Sequence, residues 1–132
     1  MNRISVAGLP DFVPIFAILL GLYCTVVGIF GLFDSAGVPE FVTGADNLGT
    51  AWVGRMAGTG VALLLAVWLR RAAAYVVAFG AAIFREVGDA VVAASETSDG
   101  LPLAVVLVVL AVDIAAFALA LRATRVEGFA HA

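Results

Sequence analysis

The chain has 132 residues, 64% of them hydrophobic and only 13% charged, with a mean hydropathy of +1.13. Soluble domains average about 45–50% apolar and about 25% charged residues, so the composition names a lipid bilayer as the solvent and makes bilayer lipid a partner. Seven basic residues, all arginine, against ten acidic ones give a net charge of −3 and a pI near 4.8, which excludes the basic patch a nucleic-acid partner needs.

The rare residues exclude more. With Cys24 as the single cysteine, no intrachain disulfide, CxxC redox pair or thiolate cluster can be built, and Cys24 reads as a small packing residue. The single histidine, His131, lies in the C-terminal tail, so bis-histidine haem ligation and a histidine zinc site inside one chain are excluded. GxxxxGK[ST], GxSxG and GxGxxG patterns are absent from the sequence. No metal and no cofactor is expected.

Phe12–Phe33 contains no charge and is long enough to cross a hydrocarbon core of about 30 Å at about 1.5 Å per residue. It reads as the first transmembrane helix rather than a cleaved signal peptide, because the run is too long for an h-region and Arg3 is the only basic residue that precedes it. Asp34 to Thr50 is rich in Gly, Asp and Thr and reads as an extramembrane loop, with room for a short interfacial helix around Pro39–Thr43. The uncharged run from Met56 to Leu69 is too short to span, so the second helix begins near Ala51 and contains Arg55. Arg70-Arg71 marks a tight turn. The third helix, Ala72 to Ala94, reaches spanning length only by accepting Arg85, Glu86 and Asp89. Ser95 to Gly100 is a polar turn, Leu101 to Leu121 a fourth helix interrupted by Asp113, and Arg122 to Ala132 a polar tail.

Four helices at about 12–33, 51–69, 72–94 and 101–121 define a single transmembrane domain over 1–132, an all-α up-down bundle with short second and third connections. Arg3, Arg70, Arg71, Arg122 and Arg125 fall on one face of that bundle. The opposite loops carry Asp34, Glu40, Asp46, Glu96 and Asp99 and no basic residue. The positive-inside rule then puts both termini in the cytoplasm and makes the chain a multi-pass protein of the cell membrane, in a bacterium the inner membrane.

The remaining charges lie at membrane depth. Counted from the outer helix ends at about 1.5 Å per residue, Arg55 lies about 6 Å deep, Asp89 about 8 Å, Glu86 about 12 Å, Arg85 about 14 Å and Asp113 about 18 Å. A charge at helix-centre depth costs at least about 2.5–3.5 kcal/mol, so these five should face the bundle interior and pair. Arg85 and Asp89, four apart, can pair along one helix, which leaves Glu86 for Arg55 on the second. A buried ion network that fixes helix register is one reading of the group, although apolar residues would pack there at lower desolvation cost. Two cations against three acids leave one carboxyl unmatched, and Asp113 is the most isolated. A carboxyl without a partner in the bilayer keeps its proton, as a general acid must.

Gly54-Arg55-Met56-Ala57-Gly58 contains a GxxxG that Gly60 extends, a small face for close packing within the chain or, as the alternative, for a homo-oligomer through Gly54 and Gly58. Gly21, Thr25 and Gly28 form a similar ridge on the first helix. Phe30, Phe33, Phe41, Trp52 and Phe84 read as lipid-facing or interfacial, with Trp52 and Trp68 as belt residues at opposite ends of the second helix.

The stretch WVGRMAGTGVALLLAVWLRRAAAYVVAFGAAIFREVGDAVVAAS resembles the central helix pair of small DoxX-like four-helix bacterial membrane proteins of unknown function. The resemblance covers roughly Leu20 to Leu121 and rests on Arg55 followed by Gly58 in a glycine-rich second helix, and on the charged cluster Arg85, Glu86 and Asp89 closing the third. It implies a four-helix bundle of this length and no particular chemistry, and Asp113 has no counterpart in the pattern.

Three functions compete. The first is a site for a hydrophobic small molecule entering from the lipid, with Asp113, Glu86 and Asp89 as acid/base groups and Arg55 and Arg85 as binding groups, suited to isomerisation, cyclisation or epoxide opening. The second is a proton-coupled transporter using the same carboxyls. The third is a non-catalytic partner subunit whose glycine faces suffice. Whether the chain is an enzyme stays open on sequence alone.

Overall fold

A computed structural model describes residues 6, 8–33, 48–95 and 103–130, with side chains described for 6, 8–33, 52–94 and 103–126. All regular structure among these residues is helical: α1 Phe12–Phe33, α2 Leu48–Leu69, α3 Ala72–Ser95 and α4 Leu103–Ala130. The expected interfacial helix around Pro39–Thr43, Phe41, the polar turn after Ser95 and His131 lie outside the described residues. Three of the helices, α1, α2 from Trp52 and α4 to Val126, are long and apolar enough to cross a membrane. The third, α3, has the length and carries Arg85, Glu86 and Asp89.

Burial on α1 follows a stripe of mostly small residues, Val13, Ala17, Gly21, Cys24 and Gly28, at helical spacing. Its large apolar side chains, Ile15, Leu19, Leu22, Val26 and Phe30 among them, point outward. The same inversion marks α4, where Ala116, Ala120 and Ala123 are buried while Leu107, Val108 and Ile114 are exposed. In water the large side chains would turn inward. A bilayer offers them an apolar solvent outside, and small residues inside let the backbones approach.

The most extensive packing joins α1 to α2 and α3 to α4, with a lighter α2–α3 seam. On α1, a Cβ at Gly28 would lie 2.7 Å from both the Cα and the Cβ of Ala57, and one at Gly21 would lie 3.2 Å from the Gly60 carbonyl oxygen. Gly21 meeting Gly60 while Gly28 meets Ala57 makes the pair antiparallel. Gly54 and Gly58, by contrast, have no atom within 4 Å of the Cβ they lack. The GxxxG therefore does not form the close contact within the chain expected of it. Gly60 lies two residues beyond Gly58, about 200° around the helix, and so belongs to the opposite face.

The α2–α3 turn is built from the two arginines. Arg70 takes φ 53° and its N–H donates to the Ala66 carbonyl at 3.1 Å, a left-handed helix stop usually given to glycine. The Arg71 carbonyl accepts from Ala74 N–H at 3.0 Å, which starts α3. This end of the bundle holds the larger apolar core, in which Phe79 stacks on Phe16 at 6.1 Å and on Tyr75 at 6.4 Å between centroids. Ahead of α1, Gly8 at φ 77° lies against α4 near Ala123 and Val126, so α4 continues as a packed helix through residues expected to be a polar tail. Hydropathy marks where lipid contact ends, and the chain past Arg122 has no Pro, and no Gly until Gly128, to stop the helix.

Candidate functional site

At the end opposite the arginine turn, α3 brings Arg85, Glu86 and Asp89 against α1, α2 and α4. Arg85 is buried, donates to the Glu86 carboxylate and to Cys24 Sγ at 2.7 Å, and holds its Nε 4.0 Å from Asp89 Oδ2. The i,i+4 pair with Asp89 is the expected one. Glu86 does not reach across to Arg55 as its spacing suggested. Adjacent helical residues do not face each other, but the long arginine side chain curls back to its neighbour's carboxylate. Three groups on two helices thus converge on one guanidinium.

Asp113 approaches the same guanidinium from α4. It is fully buried at 0% exposure, neither of its carboxyl oxygens has a hydrogen-bond partner among the described residues, and it lies within electrostatic reach of Arg85 and Cys24. The carboxyl expected to be the most isolated is thus the one without a hydrogen bond. Burying an unpartnered polar group costs about 1–3 kcal/mol.

Arg55 stands on the other side of Arg85. It is exposed, and a Cβ added at Gly88 would meet its Nη1 at 3.4 Å, which places its guanidinium across the α2–α3 seam. Among the described residues it makes no ion pair within 4.0 Å, although Asp89 feels its charge. Between α2 and α3 an open cleft of about 490 Å³ is lined by Arg55, Gly58, Thr59, Ala81, Phe84 and Arg85. Its two cations and one hydroxyl are polar, and the rest is small or aromatic. Arg55 and Arg85 are thus on the cleft wall, while Glu86, Asp89 and Asp113 are not among its lining residues.

Two further neighbours escaped the sequence reading. Trp52 is 7% exposed and so turned inward rather than toward lipid, and its indole N–H interacts with Asp89. Cys24 is more than filler, since it accepts from Arg85. Helix spacing held a signal for one of them, because Trp52 precedes Arg55 by three residues and so shares its face. Nothing in the sequence ties Cys24 on α1 to Arg85 on α3. Phe30, Phe33, Phe84 and Trp68 are exposed, as lipid-facing residues are.

No protein-family model, curated protein or solved structure matches the chain. Fold and site together define a class, a helical bundle with three helices of membrane-crossing length and an ionic cluster beside an open cleft between two helices.

Proposed function

We propose that the protein is an integral membrane protein, both termini cytoplasmic, that binds a hydrophobic small molecule in the α2–α3 cleft. The observation that carries the reading is the cleft itself. A space of about 490 Å³ falls within the roughly 300–1,000 Å³ of small-molecule sites. It is open, and its apolar wall includes Phe84, 82% exposed. The DoxX-like resemblance belongs to the same proposal, because Arg55 and Gly58 line the cleft and the charged cluster of α3 backs it.

Acid/base chemistry on the bound molecule has Asp113 as its acid. Arg85 lines the cleft and Asp113, Glu86 and Asp89 do not, so proton transfer to a bound molecule requires one of these carboxyls to move toward it. The unpartnered state of Asp113 equally suits proton-coupled transport. Asp113→Asn separates the two: as an acid catalyst it loses turnover and keeps binding, whereas as a coupling site it loses the proton release that accompanies ligand addition.

The binding reading is tested by native mass spectrometry of the protein released from its own membrane. Wild type carries a bound apolar small molecule, and Gly58→Leu, which adds bulk to the cleft wall without removing a charge, loses it. Identical spectra for the two would overturn the reading. Reporter fusions at each terminus that are active only outside the cytoplasm should be silent.

A further inference from the structure

Of the five charges expected at membrane depth, Arg55 is the exposed one. Arg85 is committed within the chain: it donates to Glu86 and to Cys24, and its Nε lies 4.0 Å from Asp89 Oδ2. Arg55 has no carboxylate within 4.0 Å among the described residues. An arginine without a counter-charge is costly beside lipid, and charges at membrane depth are almost always paired. The partner of this one is therefore to be sought outside the chain.

The cleft beside Arg55 can bring one to it. Two guanidiniums, those of Arg55 and Arg85, stand on its wall, and no carboxylate is among the lining residues. Arg55 reaches across the α2–α3 seam, where a Cβ added at Gly88 would lie 3.4 Å from its Nη1. It offers five N–H donors in a planar fork that fits a carboxylate or phosphate through two parallel hydrogen bonds. A ketone or ether oxygen would take a hydrogen bond and leave the positive charge as it was, whereas an oxyanion takes two and neutralises it. A cationic head would meet both guanidiniums.

The rest of the wall is small or apolar. Along α3, Ala81 lies seven residues before Gly88, about 10 Å toward the Arg70-Arg71 turn, with the exposed Phe84 between them. On α2, Gly58 has no atom within 4 Å of the Cβ it lacks. A groove that is cationic at one end and apolar along its length matches a charged head on an apolar tail.

Resting on the proposed binding role of the cleft, we infer that the molecule it holds is anionic at one end, a carboxylate or phosphate on an otherwise apolar chain, with the oxyanion on Arg55 and the chain along Gly58, Phe84 and Ala81. Arg55 is then the residue that sets specificity. Arg85, already engaged by Glu86 and Cys24, adds positive charge to the wall. Two sources supply this chemistry, a free single-chain amphiphile and an anionic phospholipid of the bilayer, and the test separates them.

The full chain in nanodiscs of zwitterionic lipid is titrated with dodecyl phosphate, 2-dodecanone and dodecyltrimethylammonium, for wild type, Arg55→Met and Gly58→Leu. Arg55 is exposed and has no ion pair among the described residues, and Gly58 faces open space, so both variants should fold. The expected result is dodecyl phosphate bound at least about tenfold tighter than the other two probes, a loss of about tenfold or more in Arg55→Met, as for a hydrogen bond to a charged group, and no binding in Gly58→Leu. Native mass spectrometry from mixed zwitterionic and anionic lipid then names the source: wild type retains the anionic phospholipid and Arg55→Met does not, or wild type retains none and the ligand is the single-chain amphiphile. Ketone bound as tightly as phosphate, or phosphate binding unchanged in Arg55→Met but lost in Gly58→Leu, overturns the inference and leaves the cleft as a binding site. Probes that bind wild type and Gly58→Leu alike, or bind neither, overturn the cleft reading itself.

Discussion

The two ends of the bundle solve the same packing problem with different materials. Toward the Arg70-Arg71 turn the core consists of Leu63, Tyr75, Phe79 and a set of alanines and valines, closed by the Phe16–Phe79–Tyr75 stack. At the other end, Cys24, Trp52, Val53 and Met56 adjoin Arg85, Glu86, Asp89 and Asp113. The apolar end needs nothing beyond shape. The polar end buries several charges where side chains of equal volume without charge would be as stable or more so, and it leaves Asp113 unsatisfied. The contrast teaches that stability alone does not explain the second end, which is where the proposed binding cleft lies.

The largest expected effect comes from removing the guanidinium on which the polar end depends. Arg85→Leu leaves Glu86 and Asp89 buried without their cation and should lower stability by about 3–5 kcal/mol, read by SDS-induced unfolding in mixed micelles. Restoring charge balance in Arg85→Leu/Glu86→Leu should recover part of that loss. If the double variant is no better than the single, the ion pair is not what couples these residues.

At the apolar end, Phe79→Ala removes a fully buried ring that stacks on two others and should cost about 3 kcal/mol through the cavity it leaves. The two ends differ in what else changes: this variant should keep its ligand affinity, and Arg85→Leu should not. Equal loss of binding in both would erase the distinction between them.

The smallest effects test how the glycines are used. Gly28→Ala places a methyl against the Ala57 backbone and should cost about 1–3 kcal/mol. Gly58→Ala meets open space and replaces a poor helix former, so it should gain up to about 1 kcal/mol. The opposite signs, read in the same unfolding experiment, follow from the two faces of α1 and α2. A destabilising Gly58→Ala would mean that a further surface packs there, and a second copy of the chain bound through Gly54 and Gly58 is the occupant to look for by crosslinking.

What the sequence made legible was mostly what a bilayer enforces. Runs without charge bounded α1 on both sides and ended α2 at Leu69, because lipid excludes charge over a fixed length. The arginine turn was readable for the same reason, whereas Arg55, expected to face the interior and pair, is exposed and has no ion pair within 4.0 Å among the described residues. The Arg85–Asp89 pair and the isolation of Asp113 followed from helical spacing and charge counting. Orientation about the helix axis was less accessible. Trp52 reads as an interfacial residue from its place near a helix end, yet depth says nothing about whether a side chain turns inward. The GxxxG identified where a close approach is sterically permitted, and the face actually used runs through Gly60, Gly21 and Gly28. Cross-helix partners such as Cys24 with Arg85 depend on packing that one sequence does not encode locally. Helix α4 outran its expected end because backbone hydrogen bonding does not stop where hydropathy does.

The central claim is that the charged end exists for a ligand and not for the fold. It is tested most directly with one variant in which Arg85, Glu86, Asp89 and Asp113 are all replaced by Leu, compared with wild type for SDS-induced unfolding and for the apolar small molecule retained in native mass spectrometry. The account predicts stability equal to or above wild type together with loss of the bound molecule. A variant destabilised by several kcal/mol that still retains the molecule would contradict it and make the cluster a structural element.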